Sequence, residues 1–136
     1  METPDVWKEF SGNIITHSGA HHLLAIWELT NERGYARVTD IAKSLDITTG
    51  SASTNLKSLK GKGLVQEDEN RFLSLSKEGS FLAEGILKRR TTLIKFFTEI
   101  LNVSSEQAEI DACKTEHLLS QETATKMDEF IAKTSN

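Results

Sequence analysis

The chain has 136 residues, 38% of them apolar and 26% charged, with a net charge of −4. That is the profile of a soluble globular protein large enough for one compact unit or two small lobes sharing a core. It holds no run of about 18 apolar residues, which excludes a transmembrane helix, and "METPDVWKEF" lacks the basic-then-apolar order of a secretory signal.

One cysteine cannot form an internal disulfide, so a reducing cytoplasm is the expected compartment. The charge is unevenly spread. Residues 36–63 carry five basic and two acidic side chains, whereas residues 99–136 carry three and eight. A basic middle suits an anionic partner, and an acidic tail suits a cation.

In chain order, "PDVWKEFSGNI" is a candidate short leading helix. Ser18 can cap a helix from about Gly19 to Arg33, with Leu23, Ile26, Trp27 and Thr30 on one face and Gly34 as its stop. Thr39 can cap the short helix "DIAKSL". Thr48 or Thr49 can cap a third, "GSASTNLKSLKGK", which Gly63 ends. Then the period changes: "LVQEDENRFLSLS" alternates around the polar turn Asp68-Glu69-Asn70, which predicts a β-hairpin. Ser76 caps a long helix from about Lys77 to Leu101, made broadly apolar by Phe81, Leu82, Ile86, Leu93, Phe96, Phe97 and Ile100. Ser104 with Gln107 forms a capping box for the next helix, and Ser120 caps the last, "QETATKMDEFIAKT".

Three helices followed by a hairpin make a winged helix-turn-helix. Here "LDITT" (45–49) is the turn, and the third helix is the one that enters the major groove. Its first turns carry Thr49, Ser51, Ser53 and Thr54, short enough to reach base edges or phosphates. Lys57, Lys60 and Lys62 follow, placed to meet the backbone. Arg37 and Thr39, at the start of the second helix, complete the expected contacts. A Ser/Thr-rich start is also an ordinary cap with solvated lysines behind it. The DNA-binding reading rests on the order of elements rather than on any one residue.

"EIDACKTEHLLS" (109–120) places a second kind of chemistry. At about 100° per residue, Glu116 and His117 sit either side of Cys113, one helical turn along. Thiolate, carboxylate and imidazole suit Fe²⁺, Zn²⁺ or Mn²⁺. Three ligands from one helix call for a fourth from elsewhere. "THSGAHH" offers His17, His21 and His22, so all four histidines lie in these two runs. The spacing alone leaves a second reading open, a core cysteine with polar neighbours on an amphipathic helix.

The chain resembles the diphtheria-toxin-repressor and manganese-transport-regulator family of metal-dependent DNA-binding proteins. The resemblance is carried by "ERGYARVTDIAKSLDI" (32–47), "GSASTNLKSLKGKGLV" (50–65), "LSLSKEG" (73–79) and "DACKTEHLLSQE" (111–122), and it covers roughly residues 20 to 133. It implies that Cys113, Glu116 and His117 are the core ligands. His21 falls where the family has an Asp or Met ligand, and His17 and Glu109 are further candidates. That donor set is closer to the iron-responsive branch than to the oxygen-rich manganese branch, so Fe(II) is favoured over Mn(II) or Zn(II).

Two departures stand out. Arg90 occupies the place of a family histidine that serves a second metal, with Ile94 or Lys95 where a carboxylate would be. Arginine cannot ligate. One metal per chain is therefore expected, with Arg90 supplying the second charge and pairing with Glu109 or a nearby carboxylate. The third, SH3-like domain of some relatives is expected to be absent.

The resemblance thus implies a mainly α protein: a winged helix-turn-helix DNA-binding domain (1–76), then a helical metal-binding and dimerisation domain (77–136). The expected protein is no enzyme and has no membrane partner. It is a homodimer on a pseudo-palindromic double-stranded operator, its two recognition helices about 34 Å or a multiple apart, probing a metal-uptake promoter as a repressor. The ion, bridging the lobes, fixes the angle between them. The alternatives are a metal-free redox regulator using Cys113, a winged-helix protein with structural zinc, and a small metal-dependent hydrolase, for which no pocket residues are evident.

Overall fold

The structure is a computed structural model that describes residues 15–134. The candidate leading helix in "PDVWKEFSGNI" lies outside these residues. The described elements are α1 (His17–Arg33), α2 (Val38–Leu45), α3 (Thr49–Gly61), β1 (Val65–Glu67), β2 (Leu73–Leu75), α4 (Lys77–Lys95), α5 (Ser105–Thr115) and α6 (Gln121–Thr134). They divide into two compact units, His17–Glu84 and the stretch from Gly85 onward with Ile15 and Thr16. The division falls inside α4, eight residues beyond the domain boundary expected at its start. None of the described helices is long and apolar enough to cross a membrane.

In the first unit, α1–α3 bury Leu23, Ile26, Ile41, Ala52, Leu56 and Leu59 almost completely. Each large side chain of this kind contributes about 1.5–3 kcal/mol relative to exposure. Gly34, at φ +86°, ends α1 in the left-handed conformation that glycine tolerates, and its N–H reaches back to the Thr30 carbonyl at 2.9 Å. Two caps differ from expectation. Helix α1 begins at His17, so Ser18 lies inside it and its hydroxyl donates to Asn55 Oδ1 on α3, 3.2 Å away. Helix α2 is started not by Thr39 but by Arg37, whose backbone N–H donates to the Asp40 carboxylate at 2.8 Å. An acid three residues in from the cap answers the orphan amide and faces the positive end of the helix. Thr48 caps α3, its hydroxyl accepting from the Ser51 N–H at 3.1 Å.

Strands β1 and β2 pair antiparallel, Val65 opposite Leu75 and Glu67 opposite Leu73. Asp68 closes the turn: its Oδ1 accepts from the Asn70 and Phe72 amides at 2.8 and 2.9 Å, while Arg71 takes φ +67°. The hairpin is tied down at its root. The Leu73 N–H donates to the Ala36 carbonyl (2.8 Å), the Ser76 hydroxyl to the Gly63 carbonyl (2.6 Å) and the Ser76 N–H to the Leu64 carbonyl (3.0 Å). Ser76 Oγ also accepts from the Gly79 amide at 3.0 Å, capping α4 as expected. The first turn of α4 passes so near β1 that a Cβ on Gly79 would stand 2.1 Å from the Leu64 carbonyl oxygen. Only glycine fits there.

In the second unit, Ile86, Leu93, Ala108, Ala112, Ala124 and Ile131 are buried. The long helix expected to reach Leu101 is α-helical only to Lys95. Residues 96–100 form a π-helical turn in which the Leu101 N–H reaches the Phe96 carbonyl, five residues back, at 3.2 Å. Ser104 caps α5 by accepting from the Gln107 amide at 3.2 Å, but the Gln107 side chain turns to Asp111 (3.0 Å), so the capping box is half formed. Ser120 caps α6 at Thr123 (3.1 Å), and the Thr92 hydroxyl donates to Asp128 Oδ1 (2.9 Å), joining α4 to α6. Leu101, Ile110, Leu118 and Phe130 remain exposed, and none of Phe96, Phe97 and Ile100 is buried.

Candidate functional site

Helix α3 is two-sided. Ala52, Leu56 and Leu59 face the core, while Thr49, Ser51, Ser53, Thr54, Lys57 and Lys60 are exposed. The spacing is helical, so the polar set forms one face beginning at the helix N-terminus, where unpaired amides favour phosphate oxygens. The Thr54 hydroxyl donates to the Gly50 carbonyl at 3.1 Å, which leaves its oxygen to accept. Lys60 is partly committed elsewhere, in an ion pair with Glu67 on β1. Arg37 and Thr39 are exposed, and the Arg37 guanidinium lies 4.5 Å from the centre of the Phe72 ring. Next to it, Arg33 bonds Asp40 at 2.8 Å and holds that carboxyl below its ordinary pKa. Arg71, exposed in the turn of the hairpin, is a further cation of this unit that the sequence pattern of the third helix does not reveal. Its signal was being the one basic residue in "DENR".

The expected metal donors fall in both units. On α1, His17 and His21 are one helical turn apart, and their rings meet edge-on with centroids 4.5 Å apart. His17 therefore shares a face with His21. His22 is different. It is 2% exposed, and its Nδ1–H donates to the Ser18 carbonyl at 2.7 Å, which makes it a core residue of α1.

In the second unit, α5 ends at Thr115. Glu116 is its C-cap, with its N–H on the Ala112 carbonyl at 2.8 Å, and His117 stands in the turn that follows. The regular helix expected to carry all three donors thus ends at Thr115, which leaves Cys113 inside it, Glu116 at its cap and His117 beyond it. Glu116 is 2% exposed, and its two carboxylate oxygens are already engaged. Arg90 Nε donates to Oε1 and Oε2 at 2.9 and 3.0 Å, and its Nη2 lies 2.8 Å from Oε2. The Arg89 Nε donates to the Glu116 backbone carbonyl at 2.8 Å. Two consecutive arginines of α4 therefore hold residue 116 by its main chain and by its carboxylate. The carboxylate that meets Arg90 here is Glu116, while Glu109 is exposed on α5. Cys113 is half-buried, and burial, followed by the nearby Glu116 charge, raises its thiol pKa. That is opposite to the lowering an activated redox thiol needs.

Imidazole and thiolate are donors suited to borderline first-row metals; the first unit carries two such imidazoles on α1, and the second carries the Cys113 thiol and the His117 imidazole. The residues fit a transition ion by their chemistry.

Residues 16–73 match the model for the iron dependent repressor N-terminal DNA binding domain, and residues 76–136 match that for the iron dependent repressor metal binding and dimerisation domain. The HTH-type transcriptional regulator MntR of Lysinibacillus sphaericus is 28% identical over 116 residues, 85% of this chain and 83% of that protein. The transcriptional regulator MntR of Salmonella typhimurium is 36% identical over 109 residues, 80% of this chain and 67% of that one. Among solved structures, the manganese regulator SloR superposes with a TM-score of 0.74 at 23% identity, over 84% of this chain. The chain spans about half the length of that structure and of T. acidophilum IdeR, 53% of each. A winged helix-turn-helix followed by a helical unit, matched along nearly all of its described length, places this chain in the iron-dependent repressor family of transcriptional regulators, the family of the diphtheria toxin repressor and MntR.

Proposed function

We propose that this chain is a metal-responsive transcriptional regulator that binds double-stranded operator DNA as a homodimer. The observation that carries the reading is α3: a capped helix, braced by α1, α2 and the hairpin, whose exposed face offers Thr49, Ser51, Ser53, Thr54 and Lys57. Arg37, Thr39, Lys60 and Arg71 of the same unit serve as backbone contacts. A two-fold dimer would present two such helices to successive major grooves, which calls for a pseudo-palindromic site. The apolar side chains left exposed on the second unit, Leu101, Ile110, Leu118 and Phe130, suit dimerisation.

The metal in this reading is one divalent ion per chain, Fe(II) in preference to Mn(II), with His21, Cys113 and His117 among its ligands. When bound, it supplies a fixed positive charge that draws these donors together. An ion taking donors from both α1 and α5 couples its own occupancy to the DNA-reading unit. Linkage then requires that metal raise DNA affinity and that DNA raise metal affinity by the same factor. Arg90, closed on Glu116, supplies the charge that a second ion would bring. The output is repression of metal-uptake genes.

The test is a fluorescence-anisotropy titration of operator DNA with chelated protein and with Fe²⁺, Mn²⁺ or Zn²⁺ added anaerobically. DNA affinity is expected to rise about 5–150-fold with the cognate ion. An affinity indifferent to metal and chelator would overturn the proposal.

A further inference from the structure

We infer that His17 takes the ligand position expected of Glu116, and that the Glu116 carboxylate stays on Arg90 when the metal binds. This rests on the metal-site reading above and specifies its donors. Two observations, one in each unit, carry it. First, Glu116 is not poised to ligate. Both oxygens are bonded by one guanidinium at 2.8–3.0 Å, the side chain is 2% exposed, and Arg89 pins the backbone carbonyl of the same residue. Turning this carboxylate to an ion breaks a two-pronged pair in a desolvated place and brings a dication against the guanidinium, so both the lost bond and the added repulsion oppose it. Second, α1 carries two imidazoles on one face where the family-like pattern asks for only one. His17 stands one turn before His21 on the same face of α1, with ring centroids 4.5 Å apart, as two ligands to one ion require of residues i and i+4.

The exchange changes the chemistry of the site. Three imidazoles (His17, His21 and His117) and one thiolate replace a set with a carboxylate. The protein ligands carry one negative charge rather than two and include no oxygen donor. Such a set prefers Fe²⁺, Co²⁺ or Zn²⁺ to Mn²⁺, which favours oxygen ligands. His22 takes no part, because it lies about 100° round the helix from His21, on the buried side of α1, and is 2% exposed.

The experiment uses the full chain with Co²⁺ as a spectroscopic probe. Affinity is read by chelator competition and coordination by the visible and thiolate charge-transfer bands, for the parent and for His17→Ala, Glu116→Gln, His21→Ala and Cys113→Ser. His17→Ala is expected to weaken Co²⁺ binding at least tenfold and to alter the visible bands. Glu116→Gln is expected to stay within about threefold of the parent with unchanged bands. Loss of affinity in Glu116→Gln, alone or with His17→Ala, overturns the exchange. If His21→Ala and Cys113→Ser bind like the parent, the metal-site reading itself fails and the exchange with it. Imidazole ¹⁵N shifts of the parent with and without Zn²⁺ give a second measurement, independent of whether Glu116→Gln folds. Three histidines should show metal ligation while His22 does not; only two ligating histidines would overturn the exchange.

Discussion

Replacing Arg90 by methionine keeps the stem of the side chain and removes its cation, leaving the Glu116 carboxylate in a site where it is 2% exposed. Breaking a fully buried pair from one side costs about 3–5 kcal/mol, whereas an exposed pair is worth about 0–1. The guanidinium is 35% exposed, so water reaches one end of the pair and the cost falls between, at about 2–3 kcal/mol. For a chain of this length each kcal/mol lowers Tm by about 3–4 °C, so a drop of about 6–12 °C is expected. Urea unfolding of chelated protein at pH 7 should be run on the parent, Arg90→Met, Glu116→Gln and the double variant. Chelation keeps metal binding out of the result. The coupling energy should be about 1.5–3 kcal/mol, and the double variant should be more stable than Arg90→Met. A coupling below about 0.5 kcal/mol would refute the account of Glu116 as a carboxylate held by Arg90.

Gly79→Ala should cost about 2–3 kcal/mol, because its Cβ meets the Leu64 carbonyl at 2.1 Å and the hairpin must shift; a Tm within 2 °C of the parent would contradict the packing described, at about 3–4 °C per kcal/mol. Lys57→Ala should reduce the slope of log affinity against log salt by about 1, and Lys60→Ala by less, because Glu67 already holds that ammonium; equal slopes for the two variants would argue that the pair opens on DNA. The Asp40 carboxyl has its pKa lowered by Arg33 in the folded chain, so its contribution is present above its unfolded pKa near 4 and is lost as pH falls through the lower folded value. Asp40→Asn should therefore flatten the acid limb of stability against pH; an unchanged limb would remove Asp40 as a cause of it.

The order of elements was legible because each has a local signature. Thr48, Ser76, Ser104 and Ser120 all cap where their hydroxyls stand just ahead of an apolar period, and the Phe72–Leu75 alternation marks the second strand. Ser18 and Thr39 carry the same signal, but tertiary partners or a better acid displaced them: Asn55 for Ser18, and Asp40 for the start of α2. The π-helical turn at 96–100 left no mark, since an added residue in a turn disturbs the apolar period no more than a broad apolar face already does. At the candidate site, the imidazole, thiol and carboxylate side chains proposed as donors are visible in the sequence itself. That α5 would stop at Thr115, and that Arg90 would close on Glu116 rather than Glu109, depended on partners 25 or more residues away in sequence. The His17–His21 contact needed only the knowledge that the helix begins at residue 17.

The root of the hairpin has a consequence for how a duplex would be read. Ser76 on the Gly63 carbonyl, Leu73 on the Ala36 carbonyl and Gly79 pressed on Leu64 tie the root of the hairpin at three points, which restrains how its tip can move relative to α3. A duplex engaged by both would meet a restrained pair of contacts. Where its groove width does not match, the DNA must bend or twist to fit. The energy of that deformation depends on base sequence, so steps that no side chain touches would still be discriminated by their stiffness.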